Sequence, residues 1–226
     1  MIVTAVLRSP HGIKGYTSVL ASWVLWEAEQ AGAAVTGLSL EDYRVSPCHG
    51  CDQCHKTGRC PQKDDFPRLA RAISNAGGIV LASPMHFFNV SAQTKAFIDR
   101  CGSMVMRQPW DGKYGVAVMT SGATDCRNVE EYLLSFMRSM GCWTVGSVSA
   151  TVASLKDMDS REEAFEAARK LGRDLARCMR DRQTFAEQVP VKDAFRDHMQ
   201  CLAQERKTDW AFEYEFWRHH CQAEPA

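Results

Sequence analysis

IVTAVLR at residues 2–8, SPHGIKG at 9–15 and a run opening at Tyr16 are one strand, one loop and one helix in immediate succession. The first piece is apolar and β-branched, as a strand buried on both faces must be. The helix, Tyr16 to about Ala31, carries Val19, Leu20, Trp23, Val24 and Ala28 at helical spacing and stops at Ala31-Gly32. The same unit recurs: strands are predicted at 34–40, 77–84, 114–122 and 142–152, and helices from Asp64-Asp65, Ser91, Asn128 and Ser160. Five strands alternating with five helices predict an α/β protein with a five-stranded parallel sheet and helices on both faces. The alternation fails after Val189-Pro190, so residues 1–185 form the expected main domain and 186–226 a helical, aromatic extension. Trp210, Phe212, Tyr214, Phe216 and Trp217 make that extension too aromatic for a free tail. It is expected to pack on the body or on a neighbouring subunit.

The chain has 226 residues, with 27 Lys+Arg balancing 27 Asp+Glu, and 45% of its residues are hydrophobic. A neutral chain lacks the basic stripe that nucleic acid or an anionic membrane requires, so neither is an expected partner. No stretch reaches the roughly 18 apolar residues of a membrane span, and the start lacks a basic leader; a cytoplasmic protein is expected. Ten cysteines are many for a reducing compartment. Cys101, Cys126, Cys142, Cys178, Cys201 and Cys221 are scattered and read as small buried hydrophobes. The other four are clustered.

In an open parallel sheet, ligands lie beyond the carboxyl ends of the strands where strand order reverses, which directs attention to the loops after strands one, three and four. The first offers Ser9, His11, Lys14, Gly15, Tyr16, Thr17 and Ser18 at a helix start: amides, hydroxyls and a cation suited to a phosphate monoester. It is neither G-x-G-x-x-G nor a Walker A sequence, and no pyridine-nucleotide fingerprint appears elsewhere. The second, Pro84, Met85, His86, Phe87, Phe88 and Asn89, is apolar and aromatic where a loop should be polar, as a flat ring system would require. The third, Thr120, Ser121 and Gly122, supplies amides and short hydroxyls. Together they suggest a mononucleotide flavin.

Cys48-x2-Cys51-x2-Cys54-x5-Cys60-Pro61 follows the second strand. Thiolates at this spacing can converge on one inorganic core, as in ferredoxin-type runs, and a 4Fe-4S cluster is the leading reading. Structural zinc, which favours two separated pairs, and a metal-free redox loop are the alternatives. His49 and His55 are expected to point away.

The motifs SPHGIKGYTSVL, CHGCDQCHKTGRCPQKDD and SPMHFFNVSAQTKAFIDR resemble those of the NAD(P)H-dependent FMN reductase superfamily, specifically its iron-sulfur flavoprotein branch. The resemblance covers residues 1–180. It implies a three-layer flavodoxin-like sandwich with strand order 2-1-3-4-5, and an oxidoreductase binding FMN and a 4Fe-4S cluster. Ser9, Tyr16 and Thr17 would then hold the FMN phosphate, Pro84 through Asn89 would line the isoalloxazine, and Thr120 to Gly122 would border its other edge. Cys48, Cys51, Cys54 and Cys60 would ligate the cluster, on the same sheet rim as the flavin. The family's arginine is His11 here and its asparagine is Tyr16, which leaves Lys14 as the substitute cation. Lys95, Asp99 and Arg100 belong to the motif and read as structural. Implied partners are a ferredoxin-like redox protein or NAD(P)H as donor, a small-molecule acceptor, and further copies of the chain in a dimer or tetramer. A cluster-free NAD(P)H-dependent FMN or quinone reductase and a cysteine-based redox or metal sensor are the rival expectations.

Overall fold

The computed structural model describes residues 1–9 and 11–220; Pro10 of the first loop and Cys221 lie outside the described residues. Strands β1 (Ile2–Leu7), β2 (Ala34–Ser39), β3 (Gly78–His86), β5 (Tyr114–Ser121) and β6 (Trp143–Thr151) form a parallel sheet in the order β2-β1-β3-β5-β6. Counted without the two-residue β4 (Asn89–Val90), which pairs antiparallel with β3, this is the 2-1-3-4-5 order. Every residue of β5, an interior strand between β3 and β6, is buried, which is why it reads as a continuous apolar run.

Alternation along the strands divides the core. Ile79, Leu81, Ala117 and Met119 face a layer of α3 (Phe66–Ser74), α4 (Ala92–Val105) and α5 (Arg127–Ser139). Val80, Ala82, Val116 and Val118 face α1 (Tyr16–Gln30) and the long α7 (Met158–Asp181). The charges of α7 form exposed ion pairs, among them Arg173 with Glu27 and Lys170 with Asp174, of the kind that contribute little to stability.

Four short features escape sequence periodicity. The cysteine loop contains a one-turn helix, α2 (Gln53–Thr57), and a second short helix, α6 (Val152–Lys156), follows β6. The expected loop after the third strand is instead a continuation of β3 through Pro84 and Met85, which turns at Phe87-Phe88 into β4. Both turn residues are left-handed, with φ of 49° and 63°. That geometry normally selects Asn or Gly, and each bulky residue held in it costs on the order of 1–3 kcal/mol.

The extension is α8 (Val189–Glu205) and α9 (Ala211–His220). Met199 and Ala203 of α8 pack on Met106 in a small separate core that Trp210 and Trp217 partly cover. At its start, the Gln188 side chain accepts from the Thr144 amide (3.0 Å) and donates to the Thr144 carbonyl (2.8 Å) on the free side of β6. Lys192 is buried over the Trp143 ring and paired with Asp111.

Candidate functional site

A cleft of about 340 Å³ opens at the carboxyl ends of the central strands, lined by Ser9, His11, Tyr16, Thr17, Pro84, Met85, His86, Thr120, Ser121, Gly122 and Val152. The first loop reaches it through a short 3-10 turn, tied by the Ser18 hydroxyl donating to the Gly12 carbonyl (2.9 Å). Helix α1 then starts at Gly15 with no side-chain cap, so its first amides are available to an anion. A Cβ on Gly15 would lie 1.8 Å from Ser9 Oγ, so the absence of a side chain there lets the buried Ser9 hydroxyl sit over the helix end. Thr17 and Thr120 share a buried hydroxyl–hydroxyl hydrogen bond of 2.6 Å, locking the first loop to the end of β5. On the far wall, Ser83 Oγ accepts from the Ser91 amide (3.1 Å) and the Thr94 hydroxyl (3.2 Å), holding the Met85–His86 wall against α4.

Not every expected residue reaches this cleft. Lys14 lines a neighbouring groove with Val19, Leu155, Lys156, Arg161 and Phe165, where only Tyr16 is shared with the cleft. Lys14 ends the 3-10 turn and faces this groove, not the cleft. Phe87 and Phe88 stand at the hairpin tip, 97% and 72% exposed, because the turn places both rings beyond the strands. Asn89 spends its side chain on the hairpin, accepting from the Val90 amide (2.8 Å). Gly15 and Ser18 do not line the cleft; they act on the loop, Gly15 by leaving room for Ser9 and Ser18 by its bond to Gly12. Val152 is a lining residue that no sequence motif singles out; its one local signal is the Thr151–Ser154 capping box, which starts α6 at the end of the fifth strand.

The four clustered cysteines line one cavity of about 90 Å³ together with His49, His55, Asp99, Arg100 and Ser103. Left-handed residues at Gly50, Asp52 and Gly58 bend the loop around it, and the Gly50 amide lies 3.5 Å from Cys48 Sγ as a donor. The loop is anchored by Asp64. Its carboxylate accepts from the Ser46 amide (2.9 Å) and from both terminal nitrogens of Arg100, with both side chains no more than 2% exposed. Burial pushes the Asp64 carboxyl up, but the Arg100 guanidinium and the amides of Ser46 and Phe66 outweigh it and hold it below the usual carboxylate range. The motif residues Asp64 and Arg100 thus fasten the cysteine loop to α4, while Lys95 pairs with Asp99 along that helix.

The cysteine cavity and the cleft share no lining residue, and the loop is fastened to α4 at Arg100. One expectation is corrected: His49 and His55 do not point away, since both line the cavity, and His55 has its Nδ1 3.2 Å from Glu213 and its ring stacked on Trp210. Hydrogen bonding to Cys54, then to Glu213, pushes its pKa up to about 10 against the opposing effect of burial. Among the scattered cysteines, Cys101, Cys126, Cys142 and Cys178 are buried, whereas Cys201 is exposed in a groove that α8 shares with Tyr214, Trp217 and Arg218 of α9. Burial pushes the Cys142 thiol up to about 12 and Cys101 higher, which keeps both protonated and inert.

Among the described residues, no three His, Cys, Asp or Glu side chains come close enough to hold a single metal ion. Four thiols line one cavity, with the Gly50 amide beside Cys48 Sγ, a donor set of the type that iron-sulfur clusters use. No helix among the described residues is long and apolar enough to cross a membrane.

A parallel sheet with a cleft at the reversal of strand order, an uncapped helix start and three converging loops define a flavodoxin-like cofactor-binding protein. The chain belongs to the NADPH-dependent FMN reductase family, a family of oxidoreductases, whose pattern matches residues 1–156. Within it, the similarity runs to the iron-sulfur flavoprotein branch. An iron-sulfur flavoprotein of Archaeoglobus fulgidus is 31% identical over 65% of this chain and 66% of its own length. One of Methanocaldococcus jannaschii is 34% identical over 52% and 61%. This chain thus spans less than two thirds of the length of these curated relatives. The fold is shared with an NAD(P)H:quinone oxidoreductase of Methanothermobacter marburgensis (TM-score 0.63, 16% identity, 77% of this chain and 96% of that one). It is shared too with an FMN-dependent NADH-azoreductase of Bacillus anthracis (TM-score 0.60, 15% identity, 78% and 100%).

Proposed function

We propose that the chain is an electron-transfer oxidoreductase that holds FMN in the cleft and a 4Fe-4S cluster between Cys48, Cys51, Cys54 and Cys60. The supporting observation is the cleft itself: an uncapped helix start with Ser9 and Thr17 above it, and Met85, His86 and Thr120 beyond. Ser9, Thr17 and the α1 amides would receive the phosphate; the Pro84–His86 wall and the Thr120–Gly122 edge would orient the ring. FMN accepts one or two electrons and a cluster one, so single electrons from a ferredoxin-like donor can be delivered as a pair to a small acceptor. The chain's own part is to hold the groups, exclude water and supply hydrogen bonds; no side chain need act as a nucleophile. The exposed Phe87 and Phe88 support assembly into a dimer or tetramer. An anaerobic preparation should show flavin absorption bands with about four iron and four sulfide per chain. Flavin without iron would remove the cluster, and iron without flavin would remove the cleft assignment.

NAD(P)H as the donor is favoured by the groove beside the cleft. Lys14, Lys156 and Arg161 gather there around Tyr16 and Phe165, a lining suited to a phosphorylated aromatic. Lys156→Ala combined with Arg161→Ala should raise KM for NADPH by about tenfold, the loss of one charge-assisted contact, with FMN content unchanged. An unaltered KM in steady-state oxidation assays would leave the redox protein as the donor.

A further inference from the structure

Helix α2 carries Cys54 but has no means of holding itself in place. It is five residues long, none of them buried, and a helix of one turn is unstable in water without packing. Its support comes from the other end of the chain. Glu213, on the first turn of α9, is fully buried. The carboxylate is paired there: one oxygen is hydrogen-bonded to His55 Nδ1 at 3.2 Å, and the other has Arg107 Nε at 3.4 Å as an ion-pair partner without a hydrogen bond. Trp210 stacks on the His55 ring at 4.5 Å. Phe212 closes the end of α2: a Cβ at the left-handed Gly58 would fall 2.5 Å from its ring.

We infer that α9 is an integral part of the cysteine site, with Glu213 and Trp210 acting as positioning residues that hold α2, and with it Cys54, against the cavity. For the metal content alone this rests on the proposed cluster; the positioning of Cys54 does not. The extension thereby gives a redox centre encoded at residues 48–60 a second determinant 158 residues away.

The test uses the full-length chain as Glu213→Ala, Trp210→Ala and, on the exposed face of α9, Arg218→Ala. In metal-free, reduced protein, iodoacetamide labelling read by mass spectrometry should modify Cys54 about tenfold faster in the first two, as local opening becomes easier by one lost buried contact. Arg218→Ala should label as the parent does, and buried Cys101 should stay protected throughout. Anaerobically reconstituted Glu213→Ala and Trp210→Ala should retain less iron and sulfide at equal flavin content. Unchanged Cys54 labelling with Cys101 protected overturns the inference. Should Cys101 become reactive in Glu213→Ala, the isosteric Glu213→Gln decides instead: faster Cys54 labelling supports the clamp and parental labelling overturns it. Faster labelling in a chain whose parent never holds iron would uphold the clamp while removing the cluster.

Discussion

Arg100→Ala is expected to lower the stability of the chain by about 3–5 kcal/mol, because it leaves the Asp64 carboxylate buried without its counter-charge. The ion pair is bidentate, and Arg100 also donates to the Ser46 carbonyl (3.1 Å), so the substitution detaches both ends of the cysteine loop from α4. Denaturant unfolding should show the loss as a lower midpoint at unchanged slope. The double variant Asp64→Asn, Arg100→Met should recover part of it, since it removes both charges. A shift below about 1 kcal/mol, the range of exposed pairs, would mean that solvent reaches Asp64. The sign with pH follows from the depressed carboxyl: its contribution is complete above the unfolded value of about 3.9 and is lost as pH falls through the lower folded value. In Arg100→Ala that acid-side dependence should weaken.

Gly15→Ala is expected to reduce FMN affinity by about 10- to 100-fold, the loss of one or two phosphate contacts. The added methyl would meet Ser9 Oγ at 1.8 Å and come within 3.3 Å of His11 Cβ, so Ser9 must swing away from the start of α1. Flavin fluorescence titration measures the effect, and riboflavin, which lacks the phosphate, is the control. Riboflavin affinity should change little. An equal loss for both flavins would show that the cleft as a whole has closed.

The frame of the molecule was legible because a parallel strand buried on both faces reads as an apolar run, and β1, β3 and β5 are such runs. Much of the cleft was legible for the same reason: Ser9, Thr17, Pro84 and Thr120 follow directly from where those strands end. Short elements were not. Helix α2 has no apolar face, and β4 depends on a turn that Phe87 and Phe88 disfavour, so local preference pointed to loop in both places. Lys14 carries the right charge for a phosphate, yet one turn of 3-10 helix decides which side of the loop it faces. The pairing of His55 with Glu213 leaves no trace in spacing, since neither residue belongs to a pattern that includes the other. Arg100 was recognisable as structural from its motif, but its partner emerged only from the fold.

Strand β6 is the last of the sheet, and an unpaired outer edge is where sheets of separate molecules join and aggregate. Here the Gln188 amide takes up the Thr144 N–H and C=O just where a foreign strand would dock. One residue further on, the register with β5 slips past Val145, and such an irregularity bends an edge out of line. A single side chain and a skipped residue therefore make this margin of the sheet a poor template, and a chain cut before Gln188 would expose a sticky border in solution.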